Sequence, residues 1–460
     1  MASDLRVFAG SNVLLSSSSD PAPATIEVSA STGRITAIHQ ERRGKDAYPD
    51  GTDYVDAGDL YILPGLVDAH VHLNEPGRTD WEGFWTGTRA AASGGVTTVV
   101  DMPLNSIPPT TTVSNLGEKR AAAKGQCWTD VAFWGGVIPD NQDHLTPLVK
   151  EGVKGFKCFM IESGVDEFPC VSEADLVPAM KALEPTGSVL LFHAEFEDPS
   201  HKHPESASTP NPTLYDTFLD SRPPIMEVDA ISRIIALQKQ FPSLRCHIVH
   251  LSAASALPII RAAKAAGAKL TVETCFHYLC LEASAIPAGR PEFKCCPPIR
   301  DEANRAALWD ALADGTIDCV VSDHSPCVAE LKKLDDGDIM SAWGGISTLG
   351  LGLSLLWTEA SKRGFSVGKV LQWTSERTAA HGGVSDSKGK LAVGYDADIL
   401  LWDPKAEFTV TKESLNFKNK LTPYEGKTLH GRVERTILRG QTIFNRANGF
   451  GGLAPVGQLL

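Results

Sequence analysis

Two histidines stand two residues apart in Asp68-Ala-His70-Val-His72-Leu-Asn74, at the end of an apolar run that reads as a β-strand. Strand side chains alternate between faces, so His70 and His72 point the same way and could share one metal ion. Taken alone, such a pair is as often two surface imidazoles at the start of a loop. Other strand ends change that balance. His193 closes Leu190-Leu-Phe-His193, His250 closes Cys246-His-Ile-Val-His250, and Asp323 closes Cys319-Val-Val-Ser-Asp323. A lone histidine there is usually a hydrogen-bonded core group, but four strand ends bearing His or Asp are hard to reach by chance. His247 and His250 have opposite parity, so only one should face the site, and the strand end selects His250. Lys157 lies among apolar neighbours in Gly155-Phe-Lys157-Cys-Phe-Met160, where a bare ammonium is costly. A neutral lysine can instead take up carbon dioxide as a carbamate, whose two oxygens could bridge two metals. The plainer alternatives are a lysine that snorkels to solvent or one that pairs with Asp101.

These residues need elements that bring them together. Eight runs read as strands: 62–73, 96–103, 130–137, 153–160, 188–195, 245–252, 269–276 and 317–324. Helical patterns fall between them at 80–93, 227–241, 253–266 and 301–313, the last opening on acidic residues that suit a helix N-terminus. Eight β-α units in succession predict an α/β fold with a parallel (β/α)8 barrel over residues 62–387, and barrel enzymes build their sites at the carboxyl ends of the strands. The ends read differently, as short alternating strands with Gly turns. They predict a small β-sandwich domain made from residues 1–61 and 388–460, its clearest piece being the turn at Gly394 leading into Asp398-Ile-Leu-Leu-Trp402.

Composition narrows the partners. Of 460 residues, 42% are hydrophobic and 22% charged, which excludes global disorder. With 43 Lys+Arg against 56 Asp+Glu the net charge is -13, which repels phosphate backbones and anionic lipid, so neither nucleic acid nor membrane is an expected partner. No apolar run nears the roughly 20 residues of a spanning helix, and the N-terminus has no signal-peptide pattern. The 10 cysteines are scattered with no C-x-x-C spacing, as reduced buried thiols would be. A cytoplasmic enzyme acting on a small molecule is expected.

The chain resembles the cyclic-amidohydrolase branch of the amidohydrolase superfamily, and within it the allantoinase group. The resemblance is carried by Leu63-Pro-Gly-Leu-Val-Asp-Ala-His70-Val-His72, by Asn74-Glu-Pro-Gly-Arg78-Thr-Asp-Trp81-Glu-Gly83, and by Gly94-Gly-Val-Thr-Thr-Val-Val-Asp-Met-Pro103-Leu-Asn105. It continues through Cys296-Pro-Pro-Ile-Arg300, Ser322-Asp323-His324-Ser-Pro-Cys327, Ala342-Trp343-Gly-Gly345 and Thr422-Pro-Tyr-Glu-Gly426. It implies two divalent metals, zinc above all, with His70, His72 and Asp323 on one, His193 and His250 on the other, and N6-carboxylated Lys157 bridging both. It also implies hydrolysis of a cyclic ureide: opening of the hydantoin ring of allantoin to allantoate by a hydroxide held between the metals, with Asp323 as the catalytic acid-base. Asn74, Cys296, Ser325 and Trp343 are the expected substrate contacts. Dihydroorotases typically carry arginine where this chain has Asn74, which argues against a dihydroorotase. A dihydropyrimidinase or hydantoinase is the enzyme alternative and a ligand-less scaffold the non-enzyme one, although six intact candidate ligands oppose the scaffold. The resemblance further implies a homo-oligomer, a tetramer.

Overall fold

The computed structural model describes residues 4–198, 200 and 210–460. The chain opens with five strands, β1 (Leu5–Val13), β2 (Ala22–Ser29), β3 (Ile35–His39), β4 (Asp53–Asp56) and β5 (Tyr61–Pro64). Nine more follow, alternating mostly with helices: β6 (Leu66–Val71), β7 (Val96–Asp101), β8 (Asp130–Phe133), β9 (Gly135–Gly136), β10 (Phe156–Phe159), β11 (Val189–His193), β12 (Arg245–Ile248), β13 (Leu270–Cys275) and β14 (Cys319–Val321). The chain closes with β15 (Ile399–Thr409), β16 (Thr428–Leu438) and β17 (Gln441–Asn445).

Both chain ends build one mixed sheet in the order β17-β16-β15-β5-β1-β2-β3, with β4 parallel to β1. The middle of the chain forms two parallel sheets, β6-β7-β8 and β9 to β14. Only Trp134 separates β8 from β9, and a parallel bridge from Val71 to His324 ties β6 to the segment after β14. The fold is therefore mixed α/β with parallel sheets, and it carries the strand-helix alternation the sequence predicts. Strands β6, β7, β8, β10 and β11 are buried at every position, as strands covered on both faces must be.

The apolar run 62–73, expected as one strand, is two. It breaks at Gly65, where a Cβ would come within 2.2 Å of Thr97 Oγ1, so only glycine allows the backbones this close. Residues before the break pair with β15 in the mixed sheet, and those after it pair with β7. The helix expected from Asp80 begins only at Phe84, because Asn74 to Gly83 form a loop whose Gly83 N–H is bound by the Leu73 carbonyl. The helix at Glu302–Asp314 behaves as its sequence suggests, with the Asp301 carboxylate capping the Asn304 N–H and Gly315 closing it at φ +82°.

A buried charge cluster joins the mixed sheet to the parallel strands. Lys388 Nζ lies 2.5 Å from Asp130 Oδ2, 2.8 Å from Asp398 Oδ2 and 3.0 Å from Asp396 Oδ2, while Arg439 also binds Asp130. Burial would push the Lys388 ammonium down, but the three carboxylates outweigh it and raise its pKa. Removing the cation leaves buried carboxylates uncompensated, so Lys388→Met should cost about 3–5 kcal/mol of unfolding free energy. Denaturant unfolding of the purified protein measures this, and a loss below about 1 kcal/mol would mean that the cluster behaves as a surface ion pair.

Candidate metal centre

The carboxyl ends of the parallel strands converge on one cleft of about 540 Å³, lined among others by His70, His72, Lys157, His193, His250 and Asp323. All six are buried. His70 ends β6 but for one residue, His193 ends β11, and His250 and Asp323 each lie two residues past their strands, β12 and β14. Those two adopt φ of +38° and +42°, a region that non-glycine residues seldom enter and that clusters at functional sites. His250 lines the cleft, but from two residues past β12 and at a left-handed φ, where strand alternation no longer applies, while His247, on the strand itself, is buried away from the cleft against Thr271 and Glu273.

The donors fall into two groups. His70 Nε2 and His72 Nε2 lie 3.1 and 3.5 Å from the same atom, Asp323 Oδ1, and the three residues can offer ligand atoms within 4.8 Å of one another. On its other edge His70 donates from Nδ1 to Glu273 Oε1 at 2.5 Å. In the second group His193 Nδ1 and His250 Nε2 face each other at 3.0 Å. His193 donates from Nε2 to Glu195 Oε2 at 2.7 Å, and Arg222 holds that oxygen in turn at 2.6 Å. The bond to Glu195 places the His193 proton on Nε2 and leaves the Nδ1 lone pair aimed at the cleft. Asn105 Nδ2 lies 3.3 Å from His72 Nδ1, and an amide nitrogen donates.

Lys157, on β10, is buried with its Nζ free of any hydrogen bond, 4.9 Å from the centre of the Phe159 ring. Asp101 is not its partner: that carboxylate takes Lys119 Nζ at 2.6 Å and the Leu73 N–H at 2.8 Å. Burial pushes the Lys157 pKa down to about 8. Burial would likewise lower that of His70, but Asp323 and Glu273 raise it to about 9. Burial raises the Asp323 carboxyl, yet His70 and His72 hold it well below the usual range. His193 and His250 are held well below the ordinary imidazole value by burial and by the charge of Lys157. His70, His72 and Asp323 on one side, and His193 with His250 on the other, are thus paired among themselves through the very atoms that could ligate a cation once their shared protons are lost. The donor set, nitrogen and oxygen only, suits divalent metals.

Of the expected substrate contacts, Cys296, Ser325 and Trp343 lie on the cleft wall and Asn74 does not. Asn74 is buried at φ +64° and donates from Nδ2 to the Pro326 carbonyl at 3.3 Å, so it supports the loop after Asp323 rather than facing the opening. Trp343 packs on Trp81 with ring centres 4.8 Å apart. Sequence reasoning did not single out Asn105, Arg222 and Lys294, which line the cleft, nor Glu195 and Glu273 behind the ligands. A signal existed for the two acids: Glu195 follows His193 at the same two-residue spacing as the His70/His72 pair, and Glu273 interrupts the otherwise uncharged β13.

Comparison with known proteins agrees with this geometry. The Amidohydrolase family matches residues 61–443. A protein named allantoinase from Saccharomyces cerevisiae is 48% identical over 452 residues, 95% of each chain, and one from Streptomyces avermitilis is 51% identical over 422 residues, 92% of each. A mitochondrial allantoinase of Aquarana catesbeiana is 58% identical over 329 residues, 72% of this chain and 67% of its own. Among solved structures, the L-hydantoinase (dihydropyrimidinase) of Arthrobacter aurescens superposes with a TM-score of 0.90 at 28% identity, covering 98% of this chain and 99% of that one. With its converging donors and a match across most of its length, the chain belongs to the amidohydrolase family.

Proposed function

We propose that the protein hydrolyses the hydantoin ring of allantoin to allantoate. The observation that carries this reading is the near full-length similarity to proteins named allantoinase, well above the similarity to hydantoinases of the same fold. On this reading the two parallel sheets, linked at Trp134 and at the Val71 to His324 bridge, form one (β/α)8 barrel that begins after the break at Gly65 rather than at the expected residue 62. The mixed sheet, which takes in β5 (Tyr61–Pro64), would be the sandwich-type β domain built from both chain ends.

His70, His72 and Asp323 would hold one divalent ion and His193 and His250 a second, with zinc the proposed metal. Lys157, which lines the same cleft and whose Nζ has no hydrogen bond, would bridge them as a carbamate. Bound there, two ions would polarise the scissile carbonyl and lower the pKa of water to about 7. Asp323 takes a proton from the attacking water and delivers it to the ring nitrogen. A C–O bond forms at the carbonyl carbon, the ring C–N bond breaks, and the nitrogen leaves with the proton. Departure is eased because that nitrogen lies between two carbonyls. Glu195 and Arg222 keep His193 oriented, and Cys296, Ser325 and Trp343 wall the ureide in a cleft whose size suits a small molecule.

Among the described residues no helix is long and apolar enough to cross a membrane, and all ten cysteines are free. A cytoplasmic location and a homotetramer complete the proposal, the latter by family resemblance alone.

Four substrates test the activity. Allantoin should show a kcat/KM at least about 100-fold above dihydroorotate, dihydrouracil and unsubstituted hydantoin, since a site built for the polar ureido tail leaves its groups unpaired without it. A preference for dihydrouracil or hydantoin would move the protein to the hydantoinase class, and no turnover of any would favour the scaffold reading. Lys157→Ala should weaken metal binding by more than the roughly 10–100-fold that loss of an outer hydrogen bond costs, with a short-chain carboxylic acid partly restoring turnover. Wild-type activity in Lys157→Ala would remove the bridge from the mechanism. The pH dependence has a definite sign. Lys157 is neutral above its pKa of about 8, and His70 sheds its extra proton above about 9. Metal-stripped protein should therefore reload with zinc and bicarbonate more fully at a pH of about 9 than at about 6. Equal occupancy by elemental analysis would contradict this.

A further inference from the structure

Glu273 touches both groups of donors. Its Oε1 accepts the His70 Nδ1–H at 2.5 Å and the His250 backbone N–H at 3.3 Å, and its Oε2 accepts the His247 Nε2–H at 3.1 Å. Its main-chain carbonyl accepts the Leu251 N–H at 2.9 Å. The turn at His250 is thus gripped on two successive N–H groups by one residue. A turn of φ +38° at a histidine costs on the order of 1–3 kcal/mol unless its surroundings enforce it, and this grip does so.

The proton positions follow from the same contacts. An ionised carboxylate only accepts, so His70 donates from Nδ1 to Glu273, and when the second proton that it shares with Asp323 is lost, Nε2 is the nitrogen left to ligate. Thr271 Oγ1 lies 2.7 Å from His247 Nδ1, and its hydroxyl donates there, placing the His247 proton on Nε2 toward Glu273. The His381 ring stacks on His247 with centres 3.7 Å apart at 23°, and Trp134 backs His381 at 5.2 Å. His247, Glu273 and His381 lie within ligand distance of one another, yet stacked rings point their in-plane nitrogens in nearly parallel directions, so they do not converge on an ion. This layer orients Glu273 from beneath.

We propose that Glu273 is a positioning residue for the metal centre, one carboxylate that fixes the ligating tautomer of His70 and the turn that presents His250, and so sets both halves from a single strand. The inference rests on the metal centre proposed above. It predicts that disturbing Glu273, or the Thr271 to His247 contact that orients it, weakens metal binding at ligands left intact.

The test is zinc binding to the full-length protein, wild type and variants, read as equivalents per chain and as affinity by competition with a chromophoric chelator. Glu273→Gln keeps the volume but turns an NH2 toward a donor; it should lower zinc affinity about 10–100-fold and, at a free zinc concentration that just fills the wild type, reduce uptake from near two equivalents toward one. Thr271→Val, which touches none of the ligands, should lower affinity up to about 10-fold, measured at a temperature where the metal-free variant is fully folded. Wild-type affinity and stoichiometry in Glu273→Gln would overturn the inference. If that variant fails to fold, Thr271→Val decides, and wild-type affinity there overturns it. A wild-type protein that takes up no zinc overturns the metal-centre reading and this inference with it, whereas two equivalents in both wild type and Glu273→Gln overturn the inference alone.

Discussion

The structure depends on keeping six nitrogen- and oxygen-bearing side chains buried together at the ends of the parallel strands. Burying a polar group without a partner costs several kcal/mol, so the groups pair with one another and with the residues behind them, leaving only Lys157 Nζ and His250 Nδ1 without a hydrogen bond. That condition explains the layer behind the ligands. Glu195 and Glu273 each take a ring N–H, Arg222 neutralises one acid, and His247 with Thr271 orients the other. The strands supply the rest, since parallel strands buried on both faces admit charged groups only where partners are prepared.

Much of this was legible in the sequence. Strand ends carrying His70, His72, His193, His250 and Asp323 identify the face on which the site forms, because alternation and the strand-end rule are local and chain order suffices to apply them. Residues 74 and 273 show where that reasoning stops. Asn74 looked like a substrate contact from its place just past the histidines, but a left-handed backbone turns it toward Pro326 instead. Glu273 sits on a strand whose other residues give no reason to assign it to His70, 203 positions away. Such contacts depend on the register between neighbouring strands, which periodicity does not report.

The division of the run 62–73 makes the same point for the fold. Apolar character is continuous across Gly65, so pattern alone sees one strand. The chain nevertheless passes there from the mixed sheet to the parallel one because Thr97 leaves no room for a side chain. A single close approach, not a change of composition, marks the crossing.

The segment after β15 reaches back to the loop that carries Trp81. Lys418 Nζ binds the Thr79 carbonyl, the Asn419 amide binds the Asp80 and Trp81 carbonyls, and Thr422 binds that of Ser347. Asn419 and Trp81 are 338 residues apart in the chain. At about 5–20 residues per second on the ribosome, this separation amounts to roughly 20–70 s during which the loop carrying Trp81 exists without the segment that secures it. The nascent chain therefore emerges with its ligand-bearing strands first and the brace of its cleft wall last. The last of the donors, Asp323, precedes Lys418 by only 95 residues, so the donor set and the brace of its wall are both completed late in synthesis.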